Sequence, residues 1–211
     1  MVHAQAVASP QPGTGMTATA TPITATPRLY HSAAGHSGSW VVEQVMRVTG
    51  ELLPAAPRIA VIAETPAHTP RDVTWCLRGI TSNERYVTRE EKTALAAKQE
   101  GLGRAQASCA AMIPIRKNAE WWAMPQDERH DVVEKQSRHI AIGLNYLPAI
   151  ARRLHHCRDL GSSEPFDFIT WFEYALWDQA FFNELLRDLR ASPEWRYVER
   201  EVDIRLHRAD T

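Results

Sequence analysis

The sequence predicts an α+β fold whose second half is a ferredoxin-like βαββαβ unit and whose first half is a shortened relative of that unit. Three observations carry this reading. Alternating or β-rich runs recur at Trp40–Val48, Arg58–Ala63, Val73–Thr81, Ala107–Ile115, Ile150–Cys157, Phe166–Glu173 and Val198–Leu206, and such runs form strands. Helical composition or an apolar stripe is confined to Glu90–Leu102, the stretch after Pro125, and Asp178–Arg190,. From Ala107 onward the order is therefore β-α-β-β-α-β. Two such sheets pack together or close into an α+β barrel, with room for an apolar cavity between a sheet and its covering helix.

Composition limits what the chain can do. Its 211 residues are 44% hydrophobic, enough to bury one substantial domain,. The formal net charge of -1 supplies no field that would draw it onto nucleic acid or an anionic membrane,. No stretch approaches the ~20 apolar residues of a membrane-spanning helix. The three cysteines, Cys76, Cys109 and Cys157, lie in apolar runs without paired metal spacing, and read as small hydrophobes of a reducing compartment,.

Met1 to Arg28 is rich in Ala, Thr and Pro and nearly uncharged. It has neither a basic start nor a continuous apolar core, so it resembles neither a secretory signal nor a transit peptide, and reads as a disordered tail. The expected division is a tail over 1–30 and a domain over 31–211, with the shortened half at about 38–103 and the complete half at about 104–208. The expected compartment is the cytoplasm, or the periplasm if the true start codon lies elsewhere.

The elements follow in order. Three strands come first, the first two separated by a Pro-containing turn. The helix Glu90–Leu102 is expected to stop between Gly101 and Gly103,. Pro125 opens the next helix with Gln126, Asp127 and Glu128 in its first turn, where acidic groups suit the helix dipole. Its expected inner stripe is Val132, Gln136, His139. Gly161-Ser162-Ser163 turns the next two strands into a hairpin. Asp178–Arg190 is amphipathic through Phe181, Leu185 and Leu189. The final strand sets Val202, Ile204 and Leu206 against Asp203 and Arg205.

Period-2 alternation puts Ile150, Arg152, Leu154 and His156 on one face of their strand and Ala151, Arg153, His155 and Cys157 on the other. If Phe168, Thr170 and Phe172 lie beside Arg152, they form an apolar pocket with one cation and one hydroxyl, suited to a small anion. The competing reading pairs Arg152 with a carboxylate such as Glu173, or leaves it at a solvated edge. His139 is a candidate metal ligand, although a lone histidine on a helix stripe is more often a satisfied core residue. His155 and His156 point to opposite faces and cannot chelate one ion together. Zinc-ligand spacing, a Gly-rich phosphate loop and a Gly-x-Ser-x-Gly elbow are absent from the sequence,. In Lys117-Asn118-Ala119-Glu120-Trp121-Trp122, two tryptophans beside a lysine are either filling under a snorkelling stem or the edge of a flat aromatic cofactor.

The run Lys117–Trp122 with Met124-Pro125, then His139, Tyr146-Leu147, Arg152-Arg153-Leu154-His155-His156 and Phe166-Asp167-Phe168-Ile169-Thr170-Trp171-Phe172-Glu173 resembles the chlorite dismutase family, and most closely its short-chain branch. The resemblance covers about Thr74 to Leu206. It implies a haem b enzyme of dimeric α+β barrel fold, a homodimer that converts chlorite to chloride and dioxygen. By position, His139 is similar to the family's proximal iron ligand, Arg152 to its distal arginine and Glu194 to the carboxylate bonded to the proximal histidine. Lys117, Trp121 and Trp122 resemble its proximal and haem-edge residues, with Tyr86 a further haem-edge match. Leu154, Thr170 and Phe172 match its distal wall. The long tail before Arg28 departs from the family pattern.

Those residue types suit the implied chemistry. A carboxylate accepting from the second imidazole nitrogen gives the iron ligand anionic character. A permanent cation in an apolar pocket attracts chlorite and holds hypochlorite until dioxygen forms. Two rivals remain: a coproheme decarboxylase, whose distal position is typically a neutral Gln where this chain has Arg152, and a non-catalytic haem carrier or sensor. Dimerisation is expected because the shortened half leaves apolar surface that one subunit cannot cover.

Overall fold

The computed structural model describes residues 28–63, 72–82, 87–161 and 164–209. Eight strands close a barrel: β1 (Leu29–Gly35), β2 (Trp40–Thr49), β3 (Arg58–Ala63), β4 (Val73–Thr81), β5 (Cys109–Lys117), β6 (Ala151–His156), β7 (Phe168–Tyr174) and β8 (Val198–Arg208). Helix α1 (Arg89–Lys98) follows β4. Between β5 and β6 lie α2 (Ala119–Ala123), α3 (Gln126–His130), a π-helical turn over Asp131–Gln136, and α4 (His139–Leu144). Helix α5 (Gln179–Arg190) connects β7 to β8.

Around the barrel the order is β1-β3-β2-β8-β5-β7-β6-β4. Numbered within its own half, each set of four strands reads fourth-first-third-second, the ferredoxin-like order. The second half carries both crossover connections with helices; among the described residues the first half has none. Seams between β2 and β8 and between β4 and β6 join the halves, and among the described residues the latter pairs Ile80 with His156 and Thr81 with His155.

A short first half is possible because β2 starts level with the end of β1. Gly35 pairs with Arg58 and Trp40 pairs with Ile59, so four residues shift the chain sideways without a crossover helix. The shift presses Gly38 against β3. Its φ is +140°, and a Cβ there would lie 2.4 Å from the Ile59 carbonyl. Only glycine meets both conditions.

Alternation along the strands builds two apolar layers. Trp40, Ile59, Met112, Trp171 and Ile204 fill the barrel. On the outside, Ile113, Ile115 and Phe172 pack against Phe182, Leu186 and Leu189 of α5. Pro114, which has no N–H to give, sits where the β5–β8 register passes from Met112↔Ile204 to Ile115↔Glu201,.

Several boundaries differ from the sequence reading. β1 was not anticipated, and it begins at Leu29, inside the stretch assigned to the tail; residues 1–27 lie outside the described residues. Its short run of Ser and Ala carries little hydrophobic pattern. α1 ends at Lys98, not at the glycines, because Gln99 turns extended and its amide donates to the Arg152 carbonyl at 3.0 Å. β5 begins two residues later than Ala107 and runs on to Lys117. Phe181 is 51% exposed, and the buried stripe of α5 is instead Phe182, Leu185, Leu186 and Leu189. The turn assigned to Gly161-Ser162-Ser163 falls partly outside the described residues, after a 3-10 turn over Arg158–Leu160.

The stripe Val132–Gln136–His139 is also corrected. The Ser137 N–H bonds to the Val132 carbonyl at 3.0 Å, a five-residue step that exposes Gln136 and buries Ser137,. Arg138 then adopts left-handed backbone, φ 52°, and His139 opens a separate helix.

Two predictions follow from the barrel. Gly38→Ala should destabilise the protein by more than about 2 kcal/mol in urea denaturation, whereas Gly101→Ala, with open space around it, should be near neutral,. His155 is buried against Tyr30 and within 3.4 Å of the Thr81 hydroxyl, and burial, aided by Arg153 and His156, pulls its pKa down to about 4. A histidine titrating lower in the folded than in the unfolded chain contributes stability above the unfolded value near ~6.5 and loses it as pH falls toward the folded one. Stability should therefore decline by roughly 3 kcal/mol at most between those limits, and His155→Gln should flatten the slope.

Candidate functional site

A cavity of about 1250 Å³, counted to its open mouth, lies between the outer faces of β5, β6 and β7 and the helices α4 and α5. Ordinary small-molecule pockets run to roughly 300–1,000 Å³. Its walls are mainly apolar: Ile113 and Ile115 from β5, Phe168 and Phe172 from β7, Leu186 and Leu189 from α5. Polar groups enter at two places.

On the helix side stands a chain of three. Glu194, in the 3-10 turn Pro193–Tyr197 before β8, accepts from His139 Nδ1 at 2.8 Å with one oxygen and from Lys117 Nζ at 2.8 Å with the other. Its backbone N–H donates to Ser137 Oγ at 2.9 Å. Burial works against this carboxylate, but the charges and hydrogen bonds of Lys117 and His139 outweigh burial and hold its carboxyl well below the usual range,. Lys117 ends β5 and packs its ammonium 4.5 Å over the Trp121 ring. Asn118 caps the helix that carries Trp121, accepting from the Trp121 N–H at 3.0 Å,. Trp195 donates to Glu201 at 2.7 Å, and Glu201 with Asp203 is bound by Arg190 beneath α5.

Arg152 and Leu154 of β6 reach the same cavity, opposite Phe172 and Thr170 in the register of the hairpin. Among the described residues, the Arg152 guanidinium makes no hydrogen bond or ion pair. Burial lowers its pKa and the nearby Glu134 opposes that shift, but a guanidinium stays charged,. Glu173 does not pair with it; that carboxylate accepts from the Gly103 N–H and the Trp171 indole instead. Arg153 turns away and stacks its guanidinium 4.6 Å over Tyr30.

His139, Lys117, Trp121, Arg152, Leu154, Thr170, Phe172 and Glu194 all line this one cavity. Trp122 does not; it stacks on Phe168 at 6.0 Å and donates to Asp167. Tyr86 lies outside the described residues. Sequence reading missed Ser137, because the π-turn that buries it leaves no periodic signal. It also missed Glu134, whose carboxyl is pushed up to about 8 by burial and by Glu91, so that it is largely neutral at pH 7. Among the described residues, no cluster of three His, Cys, Asp or Glu side chains could hold a bare metal ion, and no helix is long and apolar enough to cross a membrane.

Fold and site together define an α+β barrel protein with a large, mainly apolar pocket between its wall and its helices. Residues 54–208 match the family model described as chlorite dismutase. A solved dimeric chlorite dismutase from Nitrobacter winogradskyi is 54% identical, with a TM-score of 0.78 over 85% of this chain and 99% of that one. A chlorite dismutase from Ideonella dechloratans is 33% identical over 131 residues, which are 60% of this chain but only 42% of that relative's length. A mutant chlorite dismutase from Candidatus Nitrospira defluvii, solved with cyanide, shares the fold at 22% identity and a TM-score of 0.61, covering 87% of this chain and 92% of that one. The chain belongs to the chlorite dismutase family.

The Lys117–Glu194 pair is almost fully buried, so removing one partner strands the other's charge. Lys117→Met or Glu194→Gln alone should cost about 3 kcal/mol in denaturant unfolding of the haem-free protein. The double variant should cost clearly less than the sum.

Proposed function

We propose that this chain is a haem b enzyme, a homodimer, that converts chlorite to chloride and dioxygen. The observation that carries the reading is that the His139–Glu194 pair and Arg152 line one mainly apolar cavity. The cavity's residues fit haem: with Nδ1 given to Glu194, His139 has its Nε2 left as an iron donor, while apolar walls from β5, β7 and α5 suit a flat macrocycle,. Haem held between His139 and Arg152 would supply the redox chemistry that turns ClO₂⁻ into Cl⁻ and O₂, a conversion that consumes no proton.

The chain's own groups do the rest. Glu194, anionic and fixed by Lys117 and Ser137, keeps the proton of His139 on Nδ1 and makes the ligand a stronger donor,. Arg152 attracts the anion and retains hypochlorite, and a charge without a fixed partner is free to follow it. Leu154 and Phe172 limit water around that anion,. A side chain that is a permanent cation at residue 152 favours anion chemistry over a coproheme decarboxylase.

His139→Ala should purify folded with little haem, while His155→Ala and His156→Ala retain it; equal haem content in all three, by absorbance against protein, would refute the ligand assignment. Glu194→Gln should raise the haem reduction potential, and an unchanged potential would remove the carboxylate from this role. In an oxygen-electrode cell, haem-loaded wild type should release dioxygen from chlorite, whereas a carrier would not. Arg152→Ala should keep haem and lose up to about two orders of magnitude in rate, ~3 kcal/mol, with more hypochlorite trapped. Arg153→Ala should leave the chemistry intact.

A further inference from the structure

Helix α4 carries a glycine that the fold itself does not require. Among the described residues, four glycines are fixed by contact: a Cβ added at Gly35, Gly38, Gly50 or Gly79 would meet a neighbouring atom at 2.1 to 2.9 Å. Gly103 and Gly161 are set by their positive φ, and Gly101 sits in an exposed loop. Gly143 has none of these reasons. It lies inside α4, its φ is outside the left-handed region, and a Cβ there would meet no atom from the rest of the protein within 4 Å. A helix interior is also where glycine suits the chain least, since alanine in its place favours folding by about five-fold.

The open space beside Gly143 is the cavity. Gly143 lines it together with His139 and Ile140, one turn earlier, and Leu147, just past the helix. Ala141, Ile142 and Asn145 of the same segment line a separate groove instead. Gly143 follows His139 by four residues, so the two share a helix face and stand about 6 Å apart along its axis. The bare position on this face is therefore the neighbour of the histidine whose Nδ1 is given to Glu194.

We propose that Gly143 is a seat for the haem ring, a place where the absent side chain lets a flat group bound at His139 lie along α4. Close approach of a ligand to backbone is one of the uses of glycine. A macrocycle centred on an iron at His139 is broader than one helical turn, so its rim passes over the position four residues on. The imidazole sets the height of the ring above the helix. A methyl group at residue 143 is much shorter than that height and fits beneath the ring, whereas a leucine side chain nearly fills it. The inference rests on the haem reading above and goes beyond it by naming a residue that decides how closely the ring lies against the helix.

Urea unfolding of the haem-free protein and haem transfer to apomyoglobin test this together, and neither needs turnover. Gly143→Ala should raise the folding equilibrium constant of the haem-free protein by about five-fold and leave haem transfer near that of wild type. Gly143→Leu should also keep or raise haem-free stability, yet release haem roughly ten-fold faster or more, because the ring must then shift or overpack. Gly101→Leu, with equal space around it but away from the cavity, should leave haem release unchanged. Opposite signs in the two measurements are the signature, since a glycine needed only by the fold would lower haem-free stability when replaced. A Gly143→Leu protein that holds haem as long as wild type overturns the inference, and so does one whose haem-free form is destabilised. A wild type that takes up no haem overturns the haem reading itself, a result distinct from haem that binds without regard to residue 143.

Discussion

Glu194 is a carboxylate taken almost wholly out of water and kept ionised by two neighbours, Lys117 and His139. An isolated charge so buried would cost far more than the chain could sustain, so the surroundings are fixed by the need to answer it. Lys117 arrives from the end of β5, His139 from the start of α4, Ser137 from the π-turn, and Glu194 from the turn before β8. Three groups from elsewhere in the chain converge on one anion. The alignment of β5 with β8 and the position of α4 over the sheet are therefore held by the same interaction that sets the tautomer of the histidine.

The irregular backbone between α3 and α4 is explained by this demand. A continuous α-helix from Gln126 would have sent Gln136 inward and carried His139 around with it. The π-turn over Asp131–Gln136 adds a residue to the turn, buries Ser137 against the Glu194 backbone and spends a left-handed residue at Arg138 before helicity resumes. Non-glycine left-handed backbone costs about 1–2 kcal/mol, and here it is offset where the charged network closes.

The pocket also depends on the asymmetry of the two halves. Both have the same strand order, but among the described residues only the second has crossover helices, and its outer sheet face encloses the cavity against them. The barrel interior is packed solid by Trp40, Met112 and Trp171, which leaves the outer face of β5, β6 and β7 as the place for a large ligand. Charge is placed accordingly. The pair on the helix wall is satisfied within the protein, whereas the Arg152 charge on β6 faces the cavity without a partner among the described residues.

The sequence by itself determined what local chemistry dictates. The order of elements in the second half follows from alternating strand-like and helical runs, and the alternation that sends Arg152 and Arg153 to opposite faces follows from a period of two residues. The grouping of Arg152 with Thr170 and Phe172, by contrast, was conditional on the two strands lying side by side, which the hairpin register supplies. The motif resemblance added His139 and Glu194 as partners, which no periodicity could have joined across 55 positions. Only the tertiary structure decided where the periodic signal breaks: the π-turn that buries Ser137, the stop of α1 at Gln99, and the exposure of Phe181. The first two of these are set by a contact with a distant segment, Glu194 and Arg152 respectively. A helix's own residues encode its stripe, but they do not encode the group across the cavity that overrules it.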